Sequence, residues 1–250
     1  MIHICGDTHG LYDQRKLDAL AYQYKATPPT EQVYLIILGD AGIVFNPYVP
    51  DGEEKKIKKW YHDRPWTTLF VDGNHENFDR LYDLPTEPMF GGTVSRYSEK
   101  IIWLRRGEIY NIDGHKFFVM GGAVSVDRAS RIEGKSWWSR EVPSHAEFEY
   151  GLDNLDKHDN KVDYILAHNC PVKVSLAYMR SMNIQAWMEP KMDAVGQYLD
   201  VVSEKTEFKK FYYGHWHDDW DYMTYTDEKE YQMLYQKIIN LKKKTKDGNV

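Results

Sequence analysis

The sequence predicts an α/β fold whose strands run both parallel and antiparallel. Short apolar runs without polar alternation recur along the chain, as in strands buried on both faces. Helix-patterned segments separate several of them, which is the rhythm of parallel strands joined by crossovers. From Ile101 to Met120 the rhythm changes, and apolar runs follow one another with no helix between them.

The chain opens MIHICGDTHG, where a strand from Ile2 to Cys5 ends in a glycine. Asp13 to Lys25 then reads as a helix. Val33 to Leu38 (VYLIIL) is the next buried run and ends in Gly39-Asp40; Asp51 to His62 is the helix after it. Thr67 to Val71 (TTLFV) ends in Asp72-Gly73-Asn74-His75. IIWL, EIYNI and KFFVM read as consecutive strands, antiparallel or at sheet edges. Val124 to Pro143 carries few strand or helix signals and reads as an insertion. Ser144 and Glu147 have the spacing of a capping box and open a helix. Asp163 to Ala167 (DYILA) precedes His168. Pro190 to Ser203 carries a helical stripe at Met192, Val195, Leu199 and Val202. Phe211 to Tyr213 ends in Gly214-His215, and DYMTYTD and YQMLYQKII read as strands. We expect one domain over residues 1–240 and a flexible basic tail over 241–250.

The 250 residues are enough to bury a core. The hydrophobic share of 42% and charged share of 28% are those of a soluble globular protein. A net charge of −6 argues against binding long nucleic acid through bulk positive charge. The two cysteines, Cys5 and Cys170, sit far apart in apolar surroundings, which suits a reducing compartment. No signal segment precedes the first strand, and no apolar run approaches the ~18 residues of a spanning helix. The expectation is a cytoplasmic protein with no membrane partner.

Each buried-looking strand ends in a potential metal ligand. In order these are Asp7 and His9, Asp40, Asn74 beside His75, His168, then His215 and His217. In open α/β sheets ligands bind beyond the carboxyl ends of the strands. Asp7 to Asp40 and Asp40 to Asn74 are each about one strand-helix unit apart. Asp7/His9 and His215/His217 share an i, i+2 spacing, which puts both side chains of a pair on one face of an extended segment. Oxygen and imidazole donors suit Mn²⁺, Fe, Zn²⁺ or Ni²⁺. Seven ligands are too many for one such ion and right for two that share a carboxylate. Singly, Asp7, Asp40 or His215 could each be structural. Together they would crowd polar groups at strand ends without partners, which is costly without a metal.

GDTHG, GD at 39–40, GNHE at 73–76, AHNCP at 167–171 and GHWH at 214–217 resemble, in order, the five motifs of the calcineurin-like metallophosphoesterases. The resemblance implies a layered α/β/β/α fold, two sheets packed face to face and flanked by helices, with the metal site at strand carboxyl ends. It implies that Asp7, His9 and His217 hold one metal, that Asn74, His168 and His215 hold the other, and that Asp40 bridges them. Mn²⁺ is the expected ion, with Fe, Zn²⁺ or Ni²⁺ as alternatives. His75 would not be a ligand. It would face the substrate and protonate the leaving oxygen or stabilise its charge, while a water activated between the metals attacks phosphorus.

In the family's protein-phosphatase branch the second motif continues GD-x-x-D-R-G. Here it reads GDAGIVFNP, with Ile43 in place of the aspartate that orients the catalytic histidine and Val44 in place of a phosphate-binding arginine. Phosphate contacts are therefore expected from Asn74 and, in a substrate-facing insertion at 124–143, from Arg128 and Arg131, with Arg140 nearby. Asp127 and Arg128 could equally form a surface ion pair. Trp137 and Trp138 could stack on a base or anchor the segment. The expected activity is phosphatase action on a phosphomonoester, a nucleotide or phosphoprotein. The alternative is phosphodiesterase or nuclease action on a cyclic nucleotide or single-stranded nucleic acid. A non-catalytic scaffold ranks below both, because no ligand position is lost.

Overall fold

In the computed structural model, which describes residues 1–48, 50–185, 192–224 and 228–244, the strands are divided between two sheets. The first begins with β1 (Ile2–Cys5), β2 (Tyr34–Leu38) and β3 (Thr67–Val71), parallel to one another. Helices α1 (Asp18–Ala26) and α2 (Gly52–His62) make the crossovers. A short α3 (Phe78–Tyr82) leads to the hairpin of β4 (Thr86–Met89) and β5 (Gly92–Ser98). Next, β6 (Ile101–Leu104) lies antiparallel to β5 and parallel to β3.

The second sheet starts with the hairpin of β7 (Ile109–Ile112) and β8 (His115–Met120). After α4 (His145–Lys157), β9 (Tyr164–Ala167) runs parallel to β8. Helices α5 (Val172–Ser181) and α6 (Ala194–Lys205) precede β10 (Lys210–Tyr213), parallel to β9. Then β11 (Trp220–Met223) pairs antiparallel with β12 (Glu230–Met233), which is parallel to β10. Finally β13 (Ile239–Leu241) returns to the first sheet, antiparallel to β1.

Strand alternation explains the layers. On β2, Ile36 and Leu38 join the core between the sheets, while Leu35 and Ile37 join the core under α1 and α2. On β9, Leu166 enters the core between the sheets, while Ile165 and Ala167 pack with α5 and α6. Both faces of each central strand are therefore apolar, as the unbroken runs predict, and the layering is α/β/β/α. Each fully buried Ile or Leu contributes roughly 1.5–3 kcal/mol through removal from water.

Local signals set most helix starts. The capping box of Ser144 and Glu147 opens α4, and Asp51 caps α2 by accepting from Glu53 N and Glu54 N. The first helix differs from expectation: Gln14–Leu17 is a 3₁₀ turn, and α1 starts at Asp18. Likewise α6 starts at Ala194, because Asp193 caps it through Gly196 N; residues 190 and 191 lie outside the described residues. IIWL and EIYNI are consecutive strands but do not pair, since the chain changes sheets between them. Residues 241–244, expected in the tail, belong to the fold instead. Leu241 belongs to β13, Lys242 O accepts from His115 Nε2 at 2.7 Å, and Lys244 N donates to Asp113 O at 3.0 Å. Residues 245–250 lie outside the described residues. Cys5 and Cys170 are buried free thiols. No helix among the described residues is long and apolar enough to cross a membrane.

Candidate active site

The carboxyl ends of β1, β2, β3, β9 and β10 deliver the motif residues to one region. Sharp turns aim the side chains. His9, Asp40, His215 and His217 have φ of 40°, 47°, 70° and 53°, a left-handed geometry that costs an L-residue roughly 1–2 kcal/mol. Gly39, at φ 88°, lies so close to the His168 imidazole that a Cβ there would collide with the ring.

Asp40 Oδ1 accepts from the backbone N–H groups of Asn74 and His75, both at 2.9 Å. That leaves Asp40 Oδ2 facing three imidazoles: His168 Nε2 at 3.4 Å, His9 Nε2 at 3.6 Å and His75 Nε2 at 3.8 Å. Asp7 Oδ1 accepts from His215 N at 2.9 Å. Asp7 Oδ2 is buried without a hydrogen-bond partner among the described residues, although His217 Nε2 is 3.1 Å away. His168 Nδ1 donates to Leu38 O at 2.7 Å, which turns Nε2 toward Asn74 Oδ1 at 3.0 Å. Asn74 is oriented by its Nδ2, which donates to Ser125 Oγ at 3.0 Å; Ser125 Oγ in turn donates to Glu141 Oε2 at 2.5 Å. His9 Nδ1 meets Asp13 Oδ2 at 2.7 Å, and Tyr235 donates to Asp13 Oδ1 at 2.9 Å while stacking on His217. Glu76 ties two loops together by accepting from Ala41 N at 2.8 Å and Gly73 N at 2.7 Å.

These contacts create a demand for positive charge. Burial raises the carboxyls of Asp7 and Asp40, but the His168 charge together with the surrounding imidazole and amide contacts outweighs it, and both are held below the usual carboxylate range. Burial lowers the imidazoles of His168 and His9, but the carboxylates outweigh it and push them up to about 10 and about 9. His215 goes the other way, to about 3, through burial and the His168 charge. Burial and Asp40 raise Glu76 to about 8. Ligand atoms of Asp7, His9 and His217 lie within 4.8 Å of one another, as do those of Asp7, Asp40 and His168. The His215 ring is 4.9 Å from that of His168. An orphaned carboxylate oxygen, with the His168 imidazole and the Asn74 amide oxygen 3.0 Å apart beside it, makes this set of oxygen and nitrogen donors fit divalent cations.

Two clefts flank the cluster. A cavity of about 390 Å³ is walled by Val124, Val126, Val172, Met179 and Trp216. A larger one of about 770 Å³ is walled by Tyr12, Phe45 and Trp138. Asp40, His75, His217 and Arg131 line both. Arg128 lines neither: it stays on an exposed 3₁₀ turn, and the chain returns to extended geometry at Arg131, which reaches the site. Arg140 is 3.6 Å from Asp79 and exposed. Trp138 is buried and donates to Asp79 at 3.0 Å, so it anchors the segment. Ile43 and Val44 are buried in the core beneath the helices.

Several contributors escape the sequence reading. Asp13 carries a local signal, its i+4 spacing from His9. Tyr235, Ser125 and Glu141 reach the site only through tertiary contacts.

No curated protein matches this chain. Among solved structures, TT1561 of Thermus thermophilus superposes with a TM-score of 0.50 at 12% identity, over 93% of this chain and 87% of that one. A putative 5'-nucleotidase from Staphylococcus aureus superposes with a TM-score of 0.51 at 13% identity, over 94% of this chain and 48% of that one. At such identities the likeness is one of fold. Residues 1–175 match the model of the calcineurin-like phosphoesterases, and the GHWH segment beyond that span, which follows β10 of the second sheet, brings His217 to 3.1 Å from Asp7. The chain belongs to the calcineurin-like phosphoesterase family and is a hydrolase of phosphate esters.

Proposed function

We propose that the chain is a dinuclear metal-dependent phosphatase acting on a small phosphomonoester such as a nucleotide. The observation that carries this reading is Asp40, whose free Oδ2 faces His9, His75 and His168 within 3.8 Å. In this reading Asp7, His9 and His217 would hold one divalent ion, Asn74, His168 and His215 would hold the other, and Asp40 would be shared by both. Mn²⁺ is the first candidate, with Fe, Zn²⁺ and Ni²⁺ as alternatives. Such ions neutralise phosphate oxygens and lower the pKa of an attacking water. The protein's own contribution is orientation. Leu38 O fixes the His168 ring, Asp13 fixes His9, and the amides of Asn74 and His75 fix Asp40. His75 Nε2 is placed to donate to the leaving oxygen as charge develops there. Segment 124–143 faces the substrate through Val124, Ser125 and Arg131, within a single domain. The buried free thiols suit the cytoplasm.

The second reading, a phosphodiesterase acting on a cyclic nucleotide or single-stranded nucleic acid, draws on the clefts. They lie on either side of Arg131 and His75, with room for a group on each side of phosphorus. The deciding assay compares para-nitrophenyl phosphate with its bis-ester, using Mn²⁺, Ni²⁺, Zn²⁺ or Fe²⁺. Faster monoester turnover supports the first reading. Asp40→Asn and His75→Ala should each reduce turnover at least about a hundredfold. Variants as active as the parent would sink both readings.

A further inference from the structure

We propose that Arg131 is the positioning residue of His75, holding the imidazole as the neutral Nε2–H tautomer so that a hydrogen-bond donor faces the phosphate. The inference rests on the phosphoesterase reading for its catalytic meaning, but its geometry stands apart from turnover. Arg131 Nη1 lies 2.9 Å from His75 Nδ1. A guanidinium has no acceptor and keeps its proton. The contact is therefore attractive only when Nδ1 presents a lone pair, and a neutral ring then carries its proton on Nε2.

The guanidinium is set independently of His75. Nη1 also donates to Ser136 O at 3.1 Å, and Nη2 donates to Asp127 Oδ2 at 2.8 Å. The arginine is thus splinted by its own segment before it meets the ring, and its side chain is 23% exposed.

A competing contact asks for the opposite tautomer. Asn74 Nδ2 lies 3.3 Å from His75 Nε2, and as a donor it would need a lone pair on Nε2. A neutral imidazole has one lone pair to accept with, so both contacts cannot be hydrogen bonds at once. The Arg131 contact is shorter and charge-assisted, and it wins. Asn74 Nδ2 keeps its bond to Ser125.

This arrangement is the counterpart of the Ile43 departure. Ile43 is fully buried in apolar surroundings and offers His75 nothing. A carboxylate beside Nδ1 would place a proton on that nitrogen, whereas an arginine keeps it off. In this chain His75 therefore presents Nε2–H as a hydrogen-bond donor toward the phosphoryl or leaving oxygen.

The test uses the full chain loaded with Zn²⁺, as parent, Arg131→Ala and Arg131→Lys. Nitrogen-15 NMR of the imidazoles, with His75 assigned by its loss in His75→Gln, reads the tautomer without turnover. The expected result is Nε2–H in the parent and a shift toward Nδ1–H in Arg131→Ala, as Asn74 captures Nε2. On the monoester reporter, kcat of Arg131→Ala should fall at least about tenfold with KM within about twofold and metal content unchanged. Arg131→Lys, or millimolar guanidinium added to Arg131→Ala, should restore part of kcat. An Nδ1–H tautomer in the parent, or no tautomer change in Arg131→Ala, would overturn the proposal. So would a tenfold rise in KM at constant kcat, which marks direct phosphate binding by Arg131. A parent that hydrolyses no ester would overturn the functional reading alone, because the tautomer still decides the pairing.

Discussion

Replacing Asp13 should loosen one half of the metal site and spare the other. His9 Nδ1 bonds Asp13 Oδ2 at 2.7 Å, and the other carboxylate oxygen accepts from Tyr235 at 2.9 Å. The carboxylate thus aims His9 Nε2 inward and raises its basicity as a ligand. Nothing comparable links Asp13 to His168, which leans on Leu38 O instead. Asp13→Asn exchanges a charge-assisted hydrogen bond of about 1.5–3 kcal/mol for a neutral one of about 0.5–1.5. The difference, about 1–1.5 kcal/mol, is roughly tenfold in Kd. Asp13→Ala also strips Tyr235 of its acceptor and should cost more, within a range of about ten- to a hundredfold. The Asp13 side chain is 22% exposed, so water replaces part of the lost bond and the lower end of each range applies. Calorimetric titration of the chelated, metal-free protein with Zn²⁺ reads both affinities, and His168→Ala identifies which is which. One affinity should fall while the other holds. Equal losses at both positions, or none, would refute the reasoning.

Arg106→Met should cost about 3–5 kcal/mol, because it strips the buried Asp72 carboxylate of contacts from Arg106 Nε at 2.8 Å and Nη2 at 2.6 Å, leaving it Trp103 Nε1 at 2.9 Å. In a domain of this size that lowers Tm by about 6–20 °C in a thermal melt, and a loss under about 1 kcal/mol would contradict it. Asp163 supplies a pH signature. Burial raises its carboxyl, but Lys116 N–H at 2.9 Å and the ammonium groups of Lys209 at 3.0 Å and Lys244 at 3.1 Å outweigh that and hold it at about 2. A depressed pKa contributes stability above the ordinary carboxylate value that is lost as pH falls toward 2. Asp163→Asn should therefore be less stable than the parent at pH 6, and urea midpoints should converge between about pH 4 and pH 2. A gap constant with pH would exclude this origin.

The readable parts of the sequence are those fixed by local chemistry. The strands TTLFV and DYILA are apolar on both faces, so any sheet burying them must cover both. Asp7, Asp40, Asn74 and His215 each follow a glycine at a strand end, where only a turn can go, and His168 follows the small Ala167. By contrast, α5 starts behind Pro171 with no side-chain cap, so nothing local marks it off from the motif. Strands β4 and β5 are half-exposed, and Pro88 sits within β4, which dilutes a strand pattern. The switch of sheets between Leu104 and Ile109 depends on what each strand meets across the molecule. The insertion is hardest to read, because its anchors are non-local. Trp138 reaches back to Asp79 and Arg131 to His75, so spacing alone cannot separate Arg131 from Arg128.

The placement of β13 bears on the order of assembly. It borders β1, the strand that leads into Asp7 and His9, and it pairs Ile2 with Leu241 across almost the entire sequence. Closing a loop of that length costs roughly 5 kcal/mol in chain entropy, about 2 kcal/mol more than the neighbouring β1–β2 pairing requires. The local crossovers and hairpins can form before it, whereas the edge bearing the first ligands is sealed last. Recovery of catalysis during refolding should therefore lag behind recovery of helix and strand content, because activity reports the joining of the two ends of the described chain.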